Sequence, residues 1–186
     1  MRIGVFGGSF DPVHNAHLIV AQLAREQLGL DRVLLTVAAG QPHKHGRHAA
    51  APADRLHMME LAVAGLPGLV ADGRELRRPS PSYTVDTLRE LAAEHPDAEL
   101  VLVLGSDVAS RFEEWREPGS IRSLAKLAVY RRNGDSGGQF DATFDVPAID
   151  ISSTAVRNRA AARLPLAGWV PPAVADYIVA SQRYVE

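Results

Sequence analysis

The sequence predicts an α/β architecture, a doubly wound parallel sheet covered by helices on both faces, and three observations predict it. Short apolar runs rich in β-branched and aromatic side chains read as buried strands. Between them lie stretches whose apolar residues recur every three or four positions, as on a helix face. The two patterns alternate along the chain, which is the order of βα units and so of a parallel sheet. At 186 residues, with no internal repeat and no linker, the chain suits one domain over residues 1–186 that buries a core without staples.

The elements follow in order. Ile3 to Phe6 is a strand, stopped by Gly7 and Gly8, where a missing Cβ lets backbone approach backbone or a ligand. Asp11-Pro12 turns the chain into a helical stripe of Ala16, Ile19, Val20, Leu23, Ala24 and Leu28. Arg32 to Ala38 gives a second buried strand, and a loop rich in Gly, Pro and His runs from Ala39 to about Ala53. Arg55 to Ala64 is helical, Leu69 to Asp72 a short strand, and Val85 to Glu94 a helix with Thr84 as its N-cap. Glu99 to Leu104 reads as the central strand. Helical pattern then fills Asp107 to Leu124, Leu127 to Tyr130 is a strand, and Asn133 to Phe144 a loop around Gly-Asp-Ser-Gly-Gly. A short strand near Ala148 to Ile151 precedes a helix from about Thr154 to Ala162, and Pro171 to Gln182 is a capping helix with Pro at its start.

Composition excludes several classes of function. A formal net charge of −2 argues against bulk electrostatic binding of nucleic acid, so phosphate affinity has to be local. The absence of cysteine removes disulfides, thiolate nucleophiles and thiolate metal sites. Met1-Arg2 runs straight into the first strand with no room for a signal peptide, and no apolar run approaches the roughly 18 residues that cross a bilayer. A cytoplasmic protein without membrane partners is expected, its oligomeric state undecided.

Ligands of such a sheet sit beyond the carboxyl ends of the strands, and the chemistry-bearing residues fall there. His14 and His17 stand at the entrance of the first helix, three apart on one face. A helix N-terminus carries about half a positive charge and free N–H groups, so two imidazoles there suit phosphate. Histidines at this spacing also serve as packing or solvated side chains, or share a metal whose third ligand comes from elsewhere. No Gly-Lys-Ser/Thr follows the glycines, so this is no P-loop, and the G-x-G-x-x-G spacing of a dinucleotide fold is absent. Ile151-Ser-Ser-Thr-Ala-Val-Arg157 opens another helix, with cap hydroxyls on Ser152, Ser153 and Thr154. Arg157 adds a cation where the macrodipole disfavours it by a few tenths of a kcal/mol or more, a sign an anion would reverse. His43 and Lys44 lie in the Gln41-Pro-His-Lys loop, beside His45, Arg47 and His48.

Gly7-Gly-Ser-Phe-Asp-Pro-Val-His-Asn-Ala-His17 resembles the signature of nucleotidyltransferases with a His-x-Gly-His motif, most of all the nicotinate-nucleotide adenylyltransferase family, with Ala16 in place of the motif glycine. The resemblance continues through the Pro-His-Lys loop, Ser82-Tyr-Thr84, Gly105-x-Asp107 followed by Trp115, and Ile-Ser-Ser-Thr-x-x-Arg157. It implies a Rossmann-like fold and transfer of the adenylyl group of ATP to nicotinate mononucleotide, with Mg²⁺ entering on ATP and no protein-built metal site. By the same resemblance His14, His17, Lys44 and Arg157 are catalytic. Gly7, Gly8, Ser9, Phe10, Gly105, Asp107, Ile151, Ser152, Ser153 and Thr154 bind ATP, and His43, Ser82, Tyr83, Thr84 and Trp115 bind the nicotinate substrate. The alternatives are a sister adenylyl- or cytidylyltransferase acting on nicotinamide mononucleotide or phosphopantetheine, a non-catalytic nucleotide sensor, and a histidine-based metal protein.

Overall fold

The apolar runs become strands of one parallel sheet in the computed structural model, which describes residues 1–39, 49–131 and 140–185. In chain order the elements are β1 (Arg2–Gly8), α1 (Asn15–Gln27), β2 (Arg32–Val37), α2 (Pro52–Val63) and β3 (Leu69–Asp72), then a 3₁₀ turn at Arg74–Arg77. They continue as α3 (Thr84–Glu94), β4 (Glu99–Gly105), α4 (Ser106–Ala109), a 3₁₀ turn at Phe112–Glu114, α5 (Pro118–Leu124) and β5 (Lys126–Arg131). β6 (Ala142–Asp145), α6 (Ser153–Ala161) and α7 (Pro172–Ala180) complete the described elements.

The strand order is β3-β2-β1-β4-β5-β6, and every neighbouring pair is parallel. The chain winds outward from β1 to one edge, returns to the middle at β4 and winds to the other edge. The switch point therefore lies between β1 and β4, where a doubly wound sheet opens its ligand crevice. Register shows how it opens. β1 pairs with β2 as far as Gly8↔Val37, but with β4 only as far as Val5↔Leu102. Beyond that rung Phe6–Gly8 and Val103–Gly105 part company.

Strand alternation divides the core into two layers. Ile3, Val5, Leu100, Leu102 and Leu104 face Val85, Leu88 and Leu91 of α3 with Ile121 of α5. Phe6, Leu35, Val101 and Val103 face the other way, against Val20 and Ala24 of α1, Met58 and Met59 of α2, and Val174 and Ile178 of α7.

Several local expectations are corrected. The helical pattern over Asp107–Leu124 is broken into α4, a 3₁₀ turn and α5. Pro118 cannot continue a helix from the preceding turn, and Glu117 before it adopts φ 54°, so the chain restarts there. The last strand is Ala142–Asp145, where Phe144 is buried, not Ala148–Ile151. Pro147 lacks the N–H that would continue the ladder. Of the loop expected over Asn133–Phe144, residues 133–139 lie outside the described residues and the end is this strand. Tyr83, not Thr84, is the N-cap of α3, with no side-chain cap bond. α6 begins at Ser153, capped by Ser152 Oγ, which accepts from the Ala155 N–H at 3.1 Å.

Candidate active site

A cleft of about 490 Å³ fills the switch point, its walls given by Val5–Phe10 from β1 and its turn and by Leu102–Gly105 from β4. His17, Ser82, Tyr83, Thr84, Asp107, Trp115 and Ser153 also line it. One opening thus gathers residues the sequence scatters from Gly7 to Ser153. Ser9 Oγ is buried there and has no partner among the described residues.

Packing fixes the turn after β1. Phe10 adopts φ 47°, and its ring lies where a Cβ on Gly8 would stand, about 2.9 Å from that position. The glycine is therefore needed for the ring of Phe10 and not only for a ligand. That ring in turn stands edge-on to His17 at 4.9 Å between centroids. His14 is the N-cap of α1 and is buried. Its imidazole stacks on that of His17 at 3.6 Å, 19° from parallel. The His14 backbone N–H donates to His17 Nδ1 at 3.2 Å, so a neutral His17 ring carries its proton on Nε2. His17 lines the cleft; His14 supports it from behind.

The second motif is sewn to the first across the length of the chain. Arg157 Nη1 donates to the Asp11 carbonyl at 2.7 Å and Nη2 to Thr154 Oγ1 at 3.1 Å. Ser153 Oγ donates to the Pro12 carbonyl at 2.9 Å. The N-termini of α1 and α6 are thereby held side by side, and Arg157 is anchored beside both. Ser152 and Thr154 remain exposed, while Ile151 is half-buried against the core.

The opposite end of the cleft is built by α3. The Tyr83 and Thr84 N–H groups meet no protein acceptor among the described residues. Ser82 Oγ donates to the buried Glu75 carboxylate, which also receives Thr87 Oγ1 at 2.8 Å. The Tyr83 ring lies under the Arg116 guanidinium at 4.6 Å. Trp115 packs on Phe112 at 5.6 Å and still lines the cleft, so it serves both core and site. Asp86 faces Arg89 at 3.5 Å and Arg116 at 4.0 Å instead of the cleft. Asp107 is exposed at the mouth. His43 and Lys44 lie outside the described residues.

Three contributors were not singled out from sequence. Asp11 is 6% exposed, and its carboxylate accepts the Ala49 and Ala50 N–H groups at 2.7 and 3.1 Å, where the loop after β2 returns. Arg55 is wholly buried and clamps the Ser9 and Ala38 carbonyls at the ends of β1 and β2, at 2.7 and 2.8 Å. Burial pulls its guanidinium below the ordinary arginine value, against the attraction of Asp11. Its signal was present in sequence, since Arg55 occupies the buried stripe that continues through Met58, Met59 and Ala62. Glu75 carries no comparable signal. Among the described residues no three His, Asp or Glu side chains converge as a metal cage, and no helix is long and apolar enough to cross a membrane.

A parallel sheet in this strand order, with two helix N-termini and a stacked histidine pair at its switch point, defines a Rossmann-like nucleotide-binding protein. The family model described as cytidylyltransferase-like matches residues 5–159. A relative from Salinibacter ruber is 42% identical over 185 residues, covering 96% of this chain and 95% of its own. Another, from Thermus thermophilus, is 43% identical over 182 residues and covers 96% of each chain. Both carry the name probable nicotinate-nucleotide adenylyltransferase. Among solved structures, nicotinic acid mononucleotide adenylyltransferase of Plasmodium falciparum, complexed with NaAD, superposes with TM-score 0.77 over 98% of this chain and 97% of its own. Its 19% identity makes that a likeness of fold. The chain belongs to the nicotinate-nucleotide adenylyltransferase family, within the cytidylyltransferase-like nucleotidyltransferases.

Proposed function

We propose that this chain, as one cytoplasmic nucleotidyltransferase domain over residues 1–186, transfers the adenylyl group of ATP to nicotinate mononucleotide, forming deamido-NAD and pyrophosphate. The observation that carries the proposal is the joining of the two helix starts, through Arg157 to Asp11 and Ser153 to Pro12, beside the switch-point cleft. The relatives' shared name and the NaAD bound to the structural neighbour support the same substrates.

The reaction needs position and charge more than a covalent nucleophile. A 5′-phosphate oxygen of the mononucleotide attacks the α-phosphorus of ATP in line; the bond from that phosphorus to the bridging oxygen breaks, and pyrophosphate leaves. Negative charge grows on the phosphoryl oxygens, so donors fixed in advance lower the barrier. His17 supplies its Nε2 proton, and Arg157 and Lys44 supply cations. His14 orients His17, and the starts of α1 and α6 add N–H groups. Ser9 Oγ, Gly7, Gly8 and Phe10 shape the phosphate wall. Mg²⁺ is proposed to arrive with ATP, held by phosphates and water. Asp107 takes ribose hydroxyls, Trp115 offers its face to the pyridine, and the Tyr83 and Thr84 N–H groups take the nicotinate carboxylate.

Pyrophosphate release from MgATP, measured with nicotinate mononucleotide, nicotinamide mononucleotide and phosphopantetheine in turn, tests the proposal. Release is expected with the first far above the others. Release fastest with phosphopantetheine, or binding of ATP with no release for any acceptor, would overturn it.

A further inference from the structure

The last residues of the chain reach back to the turn on which both anion-binding helices depend. Tyr184 adopts φ 66° and Gln182 φ 51°, a left-handed conformation unusual for bulky side chains. The Tyr184 phenol donates to Asp11 Oδ1 at 2.8 Å. Burial first, and then the Asp11 carboxylate, pushes this phenol well above the ordinary tyrosine value, so it remains a donor at neutral pH. Asp11 also receives Ala49 and Ala50 N–H groups on its carboxylate and Arg157 on its carbonyl. Four segments meet at this residue: the turn after β1, the return of the loop after β2, the start of α6 and the C-terminal tail.

We propose that Tyr184 is a positioning residue for adenylyl transfer, acting through Asp11 to hold the turn that carries His14 and His17 in register with Ala49 and Ala50. This rests on the functional reading above. The phenol and the Ala50 N–H share Oδ1 while Oδ2 takes the Ala49 N–H, so the phenol's bond helps fix the plane in which the carboxylate meets the loop backbone. Without it the buried carboxylate rotates toward other donors, and the loop return and the histidine turn lose their common anchor. Small displacements of this kind act strongly on a reaction that depends on positioned charge. The effect belongs to the phosphate end of the cleft and leaves the α3 end untouched.

Tyr184→Phe removes the hydroxyl and keeps the ring, and its melting temperature reports that the fold persists. Calorimetric affinity for ATP and steady-state kinetics are compared with wild type. The expected result is an ATP affinity and a kcat each lowered about tenfold, with KM for nicotinate mononucleotide within about twofold of wild type. In an Asp11→Ala background, where no side-chain acceptor is left for the phenol, Tyr184→Phe adds no further loss of ATP affinity. A lower melting temperature with ATP affinity and kcat unchanged overturns the proposal, as does an equal loss at both substrates or full additivity with Asp11→Ala. If wild type binds ATP but uses no nicotinate mononucleotide, the functional reading fails while the ATP affinities still decide the role of Tyr184.

Discussion

At His17 the backbone selects the tautomer. The His14 N–H points at Nδ1, so Nε2 carries the proton of the neutral ring, and the stacked His14 ring and the edge of Phe10 keep the imidazole from turning. His17→Ala removes this donor while leaving a residue that helices favour. Turnover should fall by about 10²- to 10³-fold, as for loss of one preorganised donor, with melting temperature nearly unchanged. Near-normal turnover in the folded variant would remove His17 from the chemistry. Arg157 differs in kind, because its planar fork already joins the Asp11 carbonyl to Thr154 Oγ1. Lysine keeps the charge but cannot bridge both and still face a phosphate. Arg157→Lys should weaken ATP binding about tenfold, equivalent to about 1.4 kcal/mol, measurable by calorimetry. An unchanged ATP affinity would make Arg157 a structural tie only.

The central strands are joined at their N-terminal ends by charge as well as by the ladder. Glu99 on β4 accepts from Arg2 of β1 at 2.8 Å and pairs with Lys126 of β5 at 2.7 Å. Hydrogen bonding from Lys126, and then from Arg2, holds its carboxyl below the ordinary glutamate value. A carboxyl depressed in the folded state adds stability that is fully present above the unfolded value, about 4.3, and is lost as pH falls through the folded value. Glu99→Gln should therefore melt slightly below wild type at pH 7, and the gap should close as the pH falls below the unfolded value and through the lower folded one. The site being partly exposed, the difference is small. A gap independent of pH would assign the effect to packing. The other instructive element is α3, whose N-terminus is held by Glu75 through Ser82 and Thr87, a polar network beneath a helix start that itself lacks a side-chain cap.

For the whole molecule, order and layer were legible because alternation and helical periodicity are local and strong. β1, β4 and the stripe of α1 needed nothing beyond residues such as Ile3, Val5, Leu102 and Val20. Breaks set by a single residue were harder. Pro118 and Pro147 act through the N–H they lack, and periodicity is blind to that. Motif residues that face the cleft, such as His17 and Ser153, were visible from their type and place. Asp11, Glu75 and Tyr184 were not, because each matters only through partners far away in sequence, as in the bond from Tyr184 to Asp11. Substrate choice is made at the α3 end of the cleft. Nicotinate and nicotinamide have nearly one shape, so charge and hydrogen-bond polarity must separate them. The Tyr83 and Thr84 N–H groups stand at the positive end of α3, and a carboxylate can accept both. An amide satisfies one with its oxygen and turns an NH₂ toward the other, a mismatch of about 1–3 kcal/mol. The side chain that could have reversed this, Asp86, is turned toward Arg89 and Arg116. The decisive measurement is kcat/KM for nicotinate mononucleotide against nicotinamide mononucleotide, each with saturating MgATP. A preference for nicotinate of at least roughly tenfold is the predicted result; equal efficiencies, or a preference for the amide, would contradict it.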